Sequence, residues 1–330
     1  MLKMRINKIA ILGGGSWGTA LAVLLANEGH DVFLWCRRRE QADSLNKKRE
    51  NLQYLPGVKL PRNVSVSHEL GSISDAGMVI VSVPCAYFRK VLEDAKLLIK
   101  KEAVIVSASK GFEPKTSKRM SEIIKEITDS KNIAVLSGPN HAEEVGKGLP
   151  TATVVASSDM ALAAEISKVF TADKFKAYPL TDVLGVEICG ALKNITAIAV
   201  GICDNLHFGD NAKGAIITLG LKEMNEFGKA FGAKRSTCYG LAGVGDLITT
   251  CESEHSRNRF VGKRLAQSKK MEDISKEMKG MIAEGVETCK AAYEISRKKG
   301  IKMPLTAQVY QVLNEGKELK KAISDLLGSV

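Results

Sequence analysis

Short apolar runs alternate with helix-like stretches through the first half of the chain. The runs are rich in Val, Ile and Leu, and they fall at residues 8–12, 31–35, 78–83, 103–107, 133–136 and 151–156. Strands buried on both faces carry this near-continuous apolar pattern, whereas strands with one face in water alternate apolar and polar residues. The first half is therefore predicted to be an α/β domain with a mostly parallel, doubly wound sheet. A Pro-containing segment at residues 54–61 is expected to be an irregular crossover.

The sequence changes character after about residue 180. The β-branched runs disappear, and helical periodicity in Ala, Leu, Lys and Glu continues over residues 185–201, 212–231, 257–267, 287–299 and 307–314. A chain of 330 residues has the length of about two domains. We therefore predict an α/β N-terminal domain at residues 1–186 and an all-α C-terminal domain at residues 187–330.

The charge balance is basic, because 48 Lys and Arg residues against 37 Asp and Glu residues leave a net charge of +11. This excess suits nucleic acid, a membrane surface or small acidic substrates, and composition does not choose among these partners. Seven cysteines without a Cys-x-x-Cys pair predict free thiols in a reducing compartment and give no indication of a metal site.

Neither a signal peptide nor a membrane span is predicted. The apolar run at residues 9–12 is too short for a signal peptide and leads straight into glycines. The longest other apolar stretch, near residues 195–203, follows Lys193 and falls short of the roughly 18 residues that a span needs. We therefore expect a cytoplasmic protein.

The segment at residues 13–18, Gly-Gly-Gly-Ser-Trp-Gly, matches the pattern G-x-G-x-x-G with Gly13, Gly15 and Gly18. It follows the first predicted strand and opens the first predicted helix, which is the context of a dinucleotide-binding motif. Glycine permits the tight turn and a close approach of the backbone, and the helix N-terminus offers N–H groups to a pyrophosphate. We predict that residues 1–186 form a dinucleotide-binding, Rossmann-type domain; a plain glycine turn is the alternative.

Arginines occupy the end of the second predicted strand, where an NAD-selective site would carry Asp or Glu. Guanidinium groups at Arg37 and Arg38 suit the 2′-phosphate of NADP(H). The sequence thus predicts that NADP(H) is preferred and that NAD(H) is the second cofactor the site could accept. The alternative is that these arginines only begin a surface helix.

Polar residues also follow later strands, at the sheet edge where ligands bind in open α/β folds. Lys110 emerges beside a glycine just after the run at residues 103–107, so it could face an acidic substrate or simply face solvent. His141 lies in a Pro-containing loop after the run at residues 133–136, and no role is assigned to it.

Three segments of the second domain carry further candidates. Residues 187–201 are apolar on nearly all sides, so Lys193 is expected to be buried, with a pKa lowered toward the range useful for acid/base catalysis. Asp246 follows a glycine-rich loop and is a candidate partner for the buried Lys193. The segment at residues 256–259, Ser-Arg-Asn-Arg, would open a helix and form a phosphate clamp. The alternatives are a snorkelling lysine, a loop-capping aspartate, an N-cap serine and a surface arginine at position 259.

Taken together, these segments resemble the bacterial-type NAD(P)-dependent glycerol-3-phosphate dehydrogenases. The matching segments, in family order, are Gly-Gly-Gly-Ser-Trp-Gly at 13–18, Ser-Lys-Gly at 109–111, Ser-Gly-Pro at 137–139, Ala-Leu-Lys-Asn at 191–194, Gly-Val-Gly-Asp-Leu at 243–247, Ser-Arg-Asn at 256–258 and Ala-Glu-Gly at 283–285. They span most of the chain.

The resemblance implies an oxidoreductase that reversibly reduces dihydroxyacetone phosphate to sn-glycerol 3-phosphate for glycerophospholipid synthesis and that forms a homodimer. Lys193 would be the general acid/base and Asp246 would orient it. The substrate would be surrounded by Lys110, Gly138, Asn140, Lys193, Asp246, Ser256, Arg257 and Asn258. The cofactor would contact Gly13, Gly15, Ser16, Trp17, Gly18, Arg37, Arg38, Lys110, Ala142, Arg257, Ile282 and Glu284.

Two positions depart from the family pattern. Asn140 replaces the commoner Ser or Thr, so an amide stands where a hydroxyl would contact the substrate. Ile282 replaces the commoner Val, which changes little for an apolar or main-chain contact.

Two alternatives stay open at this point. A related NADP dehydrogenase of another small oxo or hydroxy acid, of the ketopantoate or 6-phosphogluconate type, would share the fold and a helical-domain lysine. A non-catalytic NADP-binding regulator would use the basic surface for nucleic acid, although no helix-turn-helix is evident and aromatic residues make up only 5% of the chain. We therefore expect a small phosphorylated substrate and no nucleic-acid partner.

Overall fold

The computed structural model describes residues 6–278 and 280–328. The chain divides into two compact units, the first formed by Met1–Ser109 with Lys118–Val183 and the second by Lys110–Ser117 with Leu184–Val330. The short segment Lys110–Ser117 belongs to the second unit because Phe112 packs into its core and lies 6.2 Å from Phe227, centroid to centroid. The sequence analysis predicted a single domain boundary at residue 187 and did not assign Lys110–Ser117 to the second domain.

The first unit contains an eight-stranded sheet and a separate two-stranded hairpin. The strands are β1 Lys8–Leu12, β2 Asp31–Trp35, β3 Glu50–Asn51, β4 Leu55–Lys59, β5 Val64–Ser67, β6 Met78–Val81, β7 Val104–Ser107, β8 Ile133–Ser137, β9 Thr151–Ala156 and β10 Phe175–Leu180. The sheet order is β10-β9-β8-β7-β6-β1-β2-β5, and β3 pairs with β4. All neighbours in the large sheet are parallel except β8 and β9, so the predicted mostly parallel sheet is confirmed.

The central strand β1 shows why the apolar runs have no polar alternation. Successive side chains of a strand point to opposite faces of the sheet. Ile9 and Ile11 pack into one core cluster, and Ala10 and Leu12 pack into another. Both faces of β1 are therefore buried. β1 also pairs with β2 on one side and β6 on the other, so its carboxyl end is the point where the strand order reverses.

The helices of the first unit cover the two faces of the sheet. They are α1 Ser16–Asn27, α2 Arg39–Lys48, α3 Cys85–Ala95, α4 Met120–Thr128, α5 Ala142–Gly146 and α6 Met160–Phe170. The segment 54–61, expected to be irregular, contains strand β4, which pairs with β3. Strands β5 and β10 were not predicted; β10 is an edge strand with partly exposed side chains and a proline, Pro179, which sheets tolerate at an edge.

The second unit is helical, as predicted. Its helices are α7 Val183–Asn205, α8 Gly209–Phe231, α9 Arg235–Cys238, α10 Asp246–Glu252, α11 Arg257–Ala266, α12 Met271–Glu277, α13 Glu284–Lys299, α14 Pro304–Asn314 and α15 Leu319–Leu327. A π-helical turn at Leu241–Gly245 leads directly into α10. Helix α7 is the core helix, because every residue from Gly185 to Cys203 is buried.

By length and composition alone, α7 could cross a membrane, since it has 23 residues and its most apolar 18-residue window has a mean hydropathy of 1.6. However, 89% of its most apolar window is buried inside the protein. Its packing within the second unit therefore accounts for its apolar composition. It meets α11 at close range, because a Cβ added at Gly201 would lie 2.2 Å from the Arg259 carbonyl oxygen, and one at Gly262 would lie 2.0 Å from that of Ile198.

Candidate functional site

The structure divides the predicted site residues between the two units. The first unit holds Gly13, Gly15, Ser16, Trp17, Gly18, Arg37, Arg38, Gly138, Asn140 and Ala142. The second unit holds Lys110, Lys193, Asp246, Ser256, Arg257, Asn258, Ile282 and Glu284.

The glycine-rich turn joins β1 to α1 and is closely packed at two of its glycines. Gly13 has a φ of +128°, and a Cβ there would lie 2.3 Å from the carbonyl oxygen of Ser82. A Cβ on Gly18 would lie 1.9 Å from the carbonyl oxygen of Gly13. Neither position accepts a larger residue without movement of the backbone. At Gly15, by contrast, a Cβ would meet no protein atom within 4 Å.

The start of α1 fits the pyrophosphate of a dinucleotide. Gly15 is the N-cap residue and provides no side chain to cap the helix, so the first N–H groups keep their hydrogen-bonding capacity. The Trp17 Nε1 is buried and has no hydrogen-bond partner within the described residues. Closely packed glycines, an open face at Gly15 and an uncapped N-terminus are the features by which such turns bind phosphates.

Arg37 and Arg38 follow β2 directly, and both are exposed. The Arg37 guanidinium carbon lies 5.1 Å from the ring centroid of Tyr87 on α3, a cation–π geometry. Arg38 is the N-cap residue of α2 and donates from Nη2 to Gln53 Oε1 at 2.9 Å. Arg37 is thus supported by an aromatic ring that sequence reasoning missed. Arg38 does begin a surface helix, as the alternative supposed.

The loop after β8 carries the remaining candidates of the first unit. Gly138 has a φ of +141°, and a Cβ there would lie 2.8 Å from Thr153 Oγ1. Asn140 is buried and its Nδ2 donates to the same Thr153 hydroxyl at 3.1 Å. Ala142 begins the short helix α5. β1 and β8 run in the same direction through β6 and β7, so these residues and the glycine-rich turn follow strand ends at one edge of the sheet.

The second unit contains a buried carboxylate between two ammonium groups. Asp246, the first residue of α10, accepts a hydrogen bond from Lys193 Nζ at Oδ1, at 2.8 Å. Its Oδ2 accepts from Lys110 Nζ at 2.9 Å. Lys193 is 5% exposed and Asp246 is 2% exposed. Burial of Lys193 and its partnership with Asp246, both anticipated from the sequence, are present in this unit.

A fourth group, Thr250, completes the surroundings of Lys193, and sequence reasoning missed it. Lys193 Nζ donates to Thr250 Oγ1 at 2.5 Å. Thr250 lies four residues after Asp246 on α10, so the two side chains share one face of the helix. That spacing was the available signal, since a hydroxyl one turn beyond a candidate partner of a buried lysine would point to the same side.

The electrostatics of this cluster depend on its two cations. Burial alone would raise the Asp246 pKa, but Lys110 and Lys193 hold it below its ordinary value. The pKa of Lys110 is lowered to about 8, mainly by burial and also by the nearby charge of Lys193, while Asp246 opposes the shift. With all three groups ionised the cluster carries one net positive charge. Such a charge attracts an anion and stabilises an oxyanion.

The residues of the predicted phosphate clamp at 256–259 make different contacts from one another. Ser256 Oγ accepts from the Arg259 N–H at 3.3 Å, so Ser256 is the N-cap of α11 as the alternative supposed. Arg257 is exposed at the first turn. Arg259 is buried, and its Nε donates to Asp204 Oδ2 at 3.0 Å, so the alternative of a surface arginine at this position was wrong.

Asn258 connects the lysine helix to the start of α13. Its Nδ2 donates to Asn194 Oδ1 at 2.9 Å, and its Oδ1 accepts from the Gly285 N–H at 3.0 Å. Asn194 is the neighbour of Lys193 on α7; it lies in the matching segment at 191–194, but no role was predicted for it. Glu284 immediately precedes Gly285 and Ile282 lies two residues before Glu284, so this network brings the start of α13 to the same region as the cation cluster.

A metal site was not expected. Among residues 6–278 and 280–328, no group of three or more His, Cys, Asp or Glu side chains is arranged to hold a metal ion.

Comparison with known proteins places both units in one family. Residues 8–163 match the family model of the NAD-dependent glycerol-3-phosphate dehydrogenase N-terminus, and residues 182–324 match that of the C-terminus. A glycerol-3-phosphate dehydrogenase [NAD(P)+] of Geobacillus thermodenitrificans is 48% identical over 326 residues, covering 98% of this chain and 95% of the relative. One of Chlorobium limicola is 47% identical over 323 residues, with 97% of each chain covered.

A solved structure agrees with these matches. The crystal structure of glycerol-3-phosphate dehydrogenase from Coxiella burnetii superimposes with a TM-score of 0.93 at 36% identity, covering 97% of this chain and 98% of that chain. These relatives favour the predicted family over dehydrogenases of other small oxo or hydroxy acids. The chain belongs to the NAD-dependent glycerol-3-phosphate dehydrogenase family.

Proposed function

We propose that the protein catalyses the reversible reduction of dihydroxyacetone phosphate to sn-glycerol 3-phosphate with NAD(P)H, as the supply of sn-glycerol 3-phosphate for glycerophospholipid synthesis. The observation that carries this proposal is the buried cluster of Lys193, Asp246 and Lys110 in a chain of this family. A buried proton donor beside a net positive charge suits the reduction of a carbonyl in an anionic substrate.

Lys193 is the proposed general acid. A dinucleotide held at the turn of Gly13, Gly15 and Gly18 would supply hydride for C2 of the substrate, and negative charge would then develop on the C2 oxygen. Protonated Lys193 would stabilise that charge and donate its proton, leaving a neutral amine and a hydroxyl group; in the reverse direction the neutral amine takes the proton back. Asp246 and Thr250 accept hydrogen bonds from the same Nζ and hold it in one position.

The substrate phosphate is the proposed partner of the cationic groups of the second unit. Arg257 offers a rigid fork of donors at the N-terminus of α11, where the N–H groups of the first turn that Ser256 does not cap favour an anion. Lys110, Ser256 and Asn258 are proposed as further substrate contacts. Asn258 is held by Asn194, which fixes the orientation of its amide.

Gly138 and Asn140 are proposed substrate-binding residues of the first unit. The Asn140 amide donates to Thr153 and therefore has a fixed orientation. Where relatives carry a hydroxyl at this position, we propose that this chain uses the Asn140 amide instead.

The cofactor is proposed to bind at the turn of Gly13, Gly15 and Gly18 and at the start of α1. Further cofactor contacts are proposed for Ser16, Trp17, Arg37, Arg38, Lys110, Ala142, Arg257, Ile282 and Glu284. NADPH is the proposed preferred cofactor, because Arg37 is exposed at the end of β2 and supported by Tyr87. NADH would lack the 2′-phosphate that pairs with this guanidinium.

We propose a cytoplasmic homodimer that binds no nucleic acid. Large apolar side chains of the second unit are exposed in the single chain, among them Phe208, Tyr239 and Ile248, and a second copy would cover them. Sedimentation at several protein concentrations tests the dimer, and a monomer at micromolar concentration would contradict it.

The experiment that tests the activity is an assay of NADH and NADPH oxidation with dihydroxyacetone phosphate, run in parallel under one buffer. We expect turnover with both cofactors and a higher kcat/KM with NADPH. Dihydroxyacetone without the phosphate is the matched control and should react far more slowly. No oxidation of either cofactor by folded protein would overturn the proposal.

A further inference from the structure

The carbonyl oxygen of Gly14, in the middle of the glycine-rich turn, is held by two side-chain amides. Gln41 Nε2, on α2, donates to it at 2.5 Å, and Asn51 Nδ2, on β3, donates to it at 3.0 Å. A carbonyl oxygen has two lone pairs, so these two donors satisfy it fully. The Gly14 peptide is thereby fixed from two separate elements of the first unit.

The next carbonyl is held by the same network. The Asn51 amide also donates to Thr19 Oγ1 at 2.7 Å, and the Thr19 hydroxyl donates to the Gly15 carbonyl oxygen at 2.7 Å. Asn51 and Thr19 are buried, with Asn51 only 2% exposed. Two successive carbonyl groups of the turn are therefore tied to one asparagine, the first directly and the second through a hydroxyl.

The planar geometry of the peptide bond determines where the N–H groups of Gly15 and Ser16 point when the preceding carbonyls are held. In a trans peptide the carbonyl of one residue and the N–H of the next point in opposite directions. When the carbonyls of Gly14 and Gly15 point toward the amides, the N–H groups of Gly15 and Ser16 point away from them. Packing on the amide side agrees, because a Cβ at Gly14 would lie 2.3 Å from Cys36 Sγ, whereas one at Gly15 would meet nothing.

We propose that Asn51 and Gln41 are positioning residues for cofactor binding, which fix the Gly14 and Gly15 peptides so that two successive N–H groups face the pyrophosphate. This inference rests on the proposed use of NAD(P)H. Neither residue is proposed to touch the cofactor. Their contribution is preorganisation, since a turn already held in its binding conformation does not have to be ordered when the anion arrives.

The first unit offers a matched control at the other end of α1. Asn63 Nδ2 donates to the carbonyl oxygens of Ala26 and His30, at 2.7 and 2.8 Å. Asn51 and Asn63 are thus the same residue type, each donating from one amide to two acceptors, but only Asn51 holds the glycine-rich turn. A purely structural role would give the two asparagines equal effects on cofactor binding.

The experiment measures the Kd for NADPH of the full chain by quenching of tryptophan fluorescence, which Trp17 in the turn and Trp35 on β2 supply. Thermal unfolding is recorded on the same samples without cofactor. We expect Asn51→Ala to raise the Kd for NADPH about tenfold, equivalent to about 1.4 kcal/mol. Gln41→Ala, which removes one hydrogen bond, should raise it about threefold. Asn63→Ala should leave the Kd within about twofold even where it lowers the Tm as much as Asn51→Ala.

Steady-state kinetics add a readout that general destabilisation would not produce. In both turn variants KM for NADPH should rise, while kcat at saturating NADPH and KM for dihydroxyacetone phosphate should change little. An unchanged Kd in Gln41→Ala and Asn51→Ala, or an equal rise in Asn63→Ala, would overturn the inference and leave the proposed activity standing. Gln41→Ala keeps the test decisive if Asn51→Ala does not fold. Absence of NADPH binding by the unaltered protein would overturn the proposed cofactor and this inference together.

Discussion

Lys193 Nζ and Asp246 Oδ1 lie 2.8 Å apart in the core of the helical unit, and the second oxygen of the same carboxylate pairs with Lys110. Two cations therefore share one buried anion. A buried ammonium without a partner would tend to lose its proton, and a buried carboxylate without a partner would tend to gain one. The shared arrangement gives each of the three groups an opposite charge within hydrogen-bonding distance.

Replacing Lys193 removes the proposed proton donor. We expect Lys193→Ala to lower kcat by about 10²–10⁴-fold, the usual contribution of general acid catalysis, while the Kd for NADPH stays within about twofold. Lys222→Ala, on the exposed side of α8, is the control and should retain full turnover. Near-normal kcat in Lys193→Ala would remove this lysine from the acid/base role.

Replacing Asp246 by Asn leaves two buried ammonium groups facing each other. Because Asp246 opposes the burial that lowers the Lys110 pKa to about 8, loss of this carboxylate should lower that pKa further. We expect the alkaline limb of the kcat/KM profile for dihydroxyacetone phosphate to move to lower pH, with a loss of about 3–5 kcal/mol in the free energy of unfolding.

The double variant Asp246→Asn with Lys110→Met separates the two effects of Asp246. It removes one of the two facing cations, so the unfolding free energy should recover while the kcat/KM stays low. Full stability and an unshifted pH profile in Asp246→Asn alone would contradict the shared-anion arrangement.

Alanine substitutions at Gly18 and Gly15 are predicted to have different effects on the Tm. Gly18→Ala would place a Cβ 1.9 Å from the Gly13 carbonyl oxygen, so the turn must move. We expect it to lower both the Tm and the affinity for NADPH. Gly15→Ala has open space in the protein, so its Tm should change little, but its added methyl group would hinder close approach of the pyrophosphate and raise the Kd about tenfold or more. Equal losses of Tm in the two variants would contradict this distinction.

Cofactor choice is predicted to depend on Arg37. Arg37→Asp replaces the guanidinium with a carboxylate that repels a 2′-phosphate and can accept a hydrogen bond from a 2′-hydroxyl. We expect the ratio of kcat/KM for NADPH to that for NADH to fall about 10- to 100-fold, from the loss of a charged hydrogen bond. Arg39→Asp is the control, because Arg39 lies on the exposed start of α2 near Asp43. An unchanged ratio in Arg37→Asp would count against NADPH preference through this residue.

Features that depend on residues close together in the sequence could be predicted, whereas contacts between residues far apart in the sequence could not. The first strands and the turn at residues 13–18 could be predicted because apolar runs and glycine spacing are local signals. Strand β10 was missed because an edge strand with one half-exposed face and Pro179 lacks the buried pattern. The grouping of Lys110 with the second unit depends on Phe112 meeting Phe227, 115 positions later, and no local pattern reports such a contact. The same is true of Asn51 and Gly14, which lie 37 residues apart.

Glu223 on α8 provides a pH-dependent contribution to stability. Its carboxylate is buried and caps the start of α14, where Oε1 accepts from the Leu305 N–H and Oε2 accepts from the N–H and hydroxyl of Thr306. Burial raises the Glu223 pKa from 4.5 to about 7, although these hydrogen bonds oppose the shift. The folded protein therefore binds this proton more tightly than the unfolded chain does. The stabilising contribution is fully present below pH 4.5 and is lost as the pH rises through about 7.

Glu223→Gln removes this titration and presents an amide NH₂ group to at least one of the donors at the start of α14. We expect the free energy of unfolding to fall by about 1–3 kcal/mol at pH 7.5, because a buried donor loses its acceptor. The difference in Tm between about pH 5 and about pH 7.5 should also become smaller than in the unaltered protein. Glu226→Gln, exposed on the same helix, is the control and should change neither quantity. Parallel Tm curves for Glu223→Gln and the unaltered protein across this range would show that Glu223 does not titrate there, and the ionised carboxylate would then be the form that caps α14 throughout.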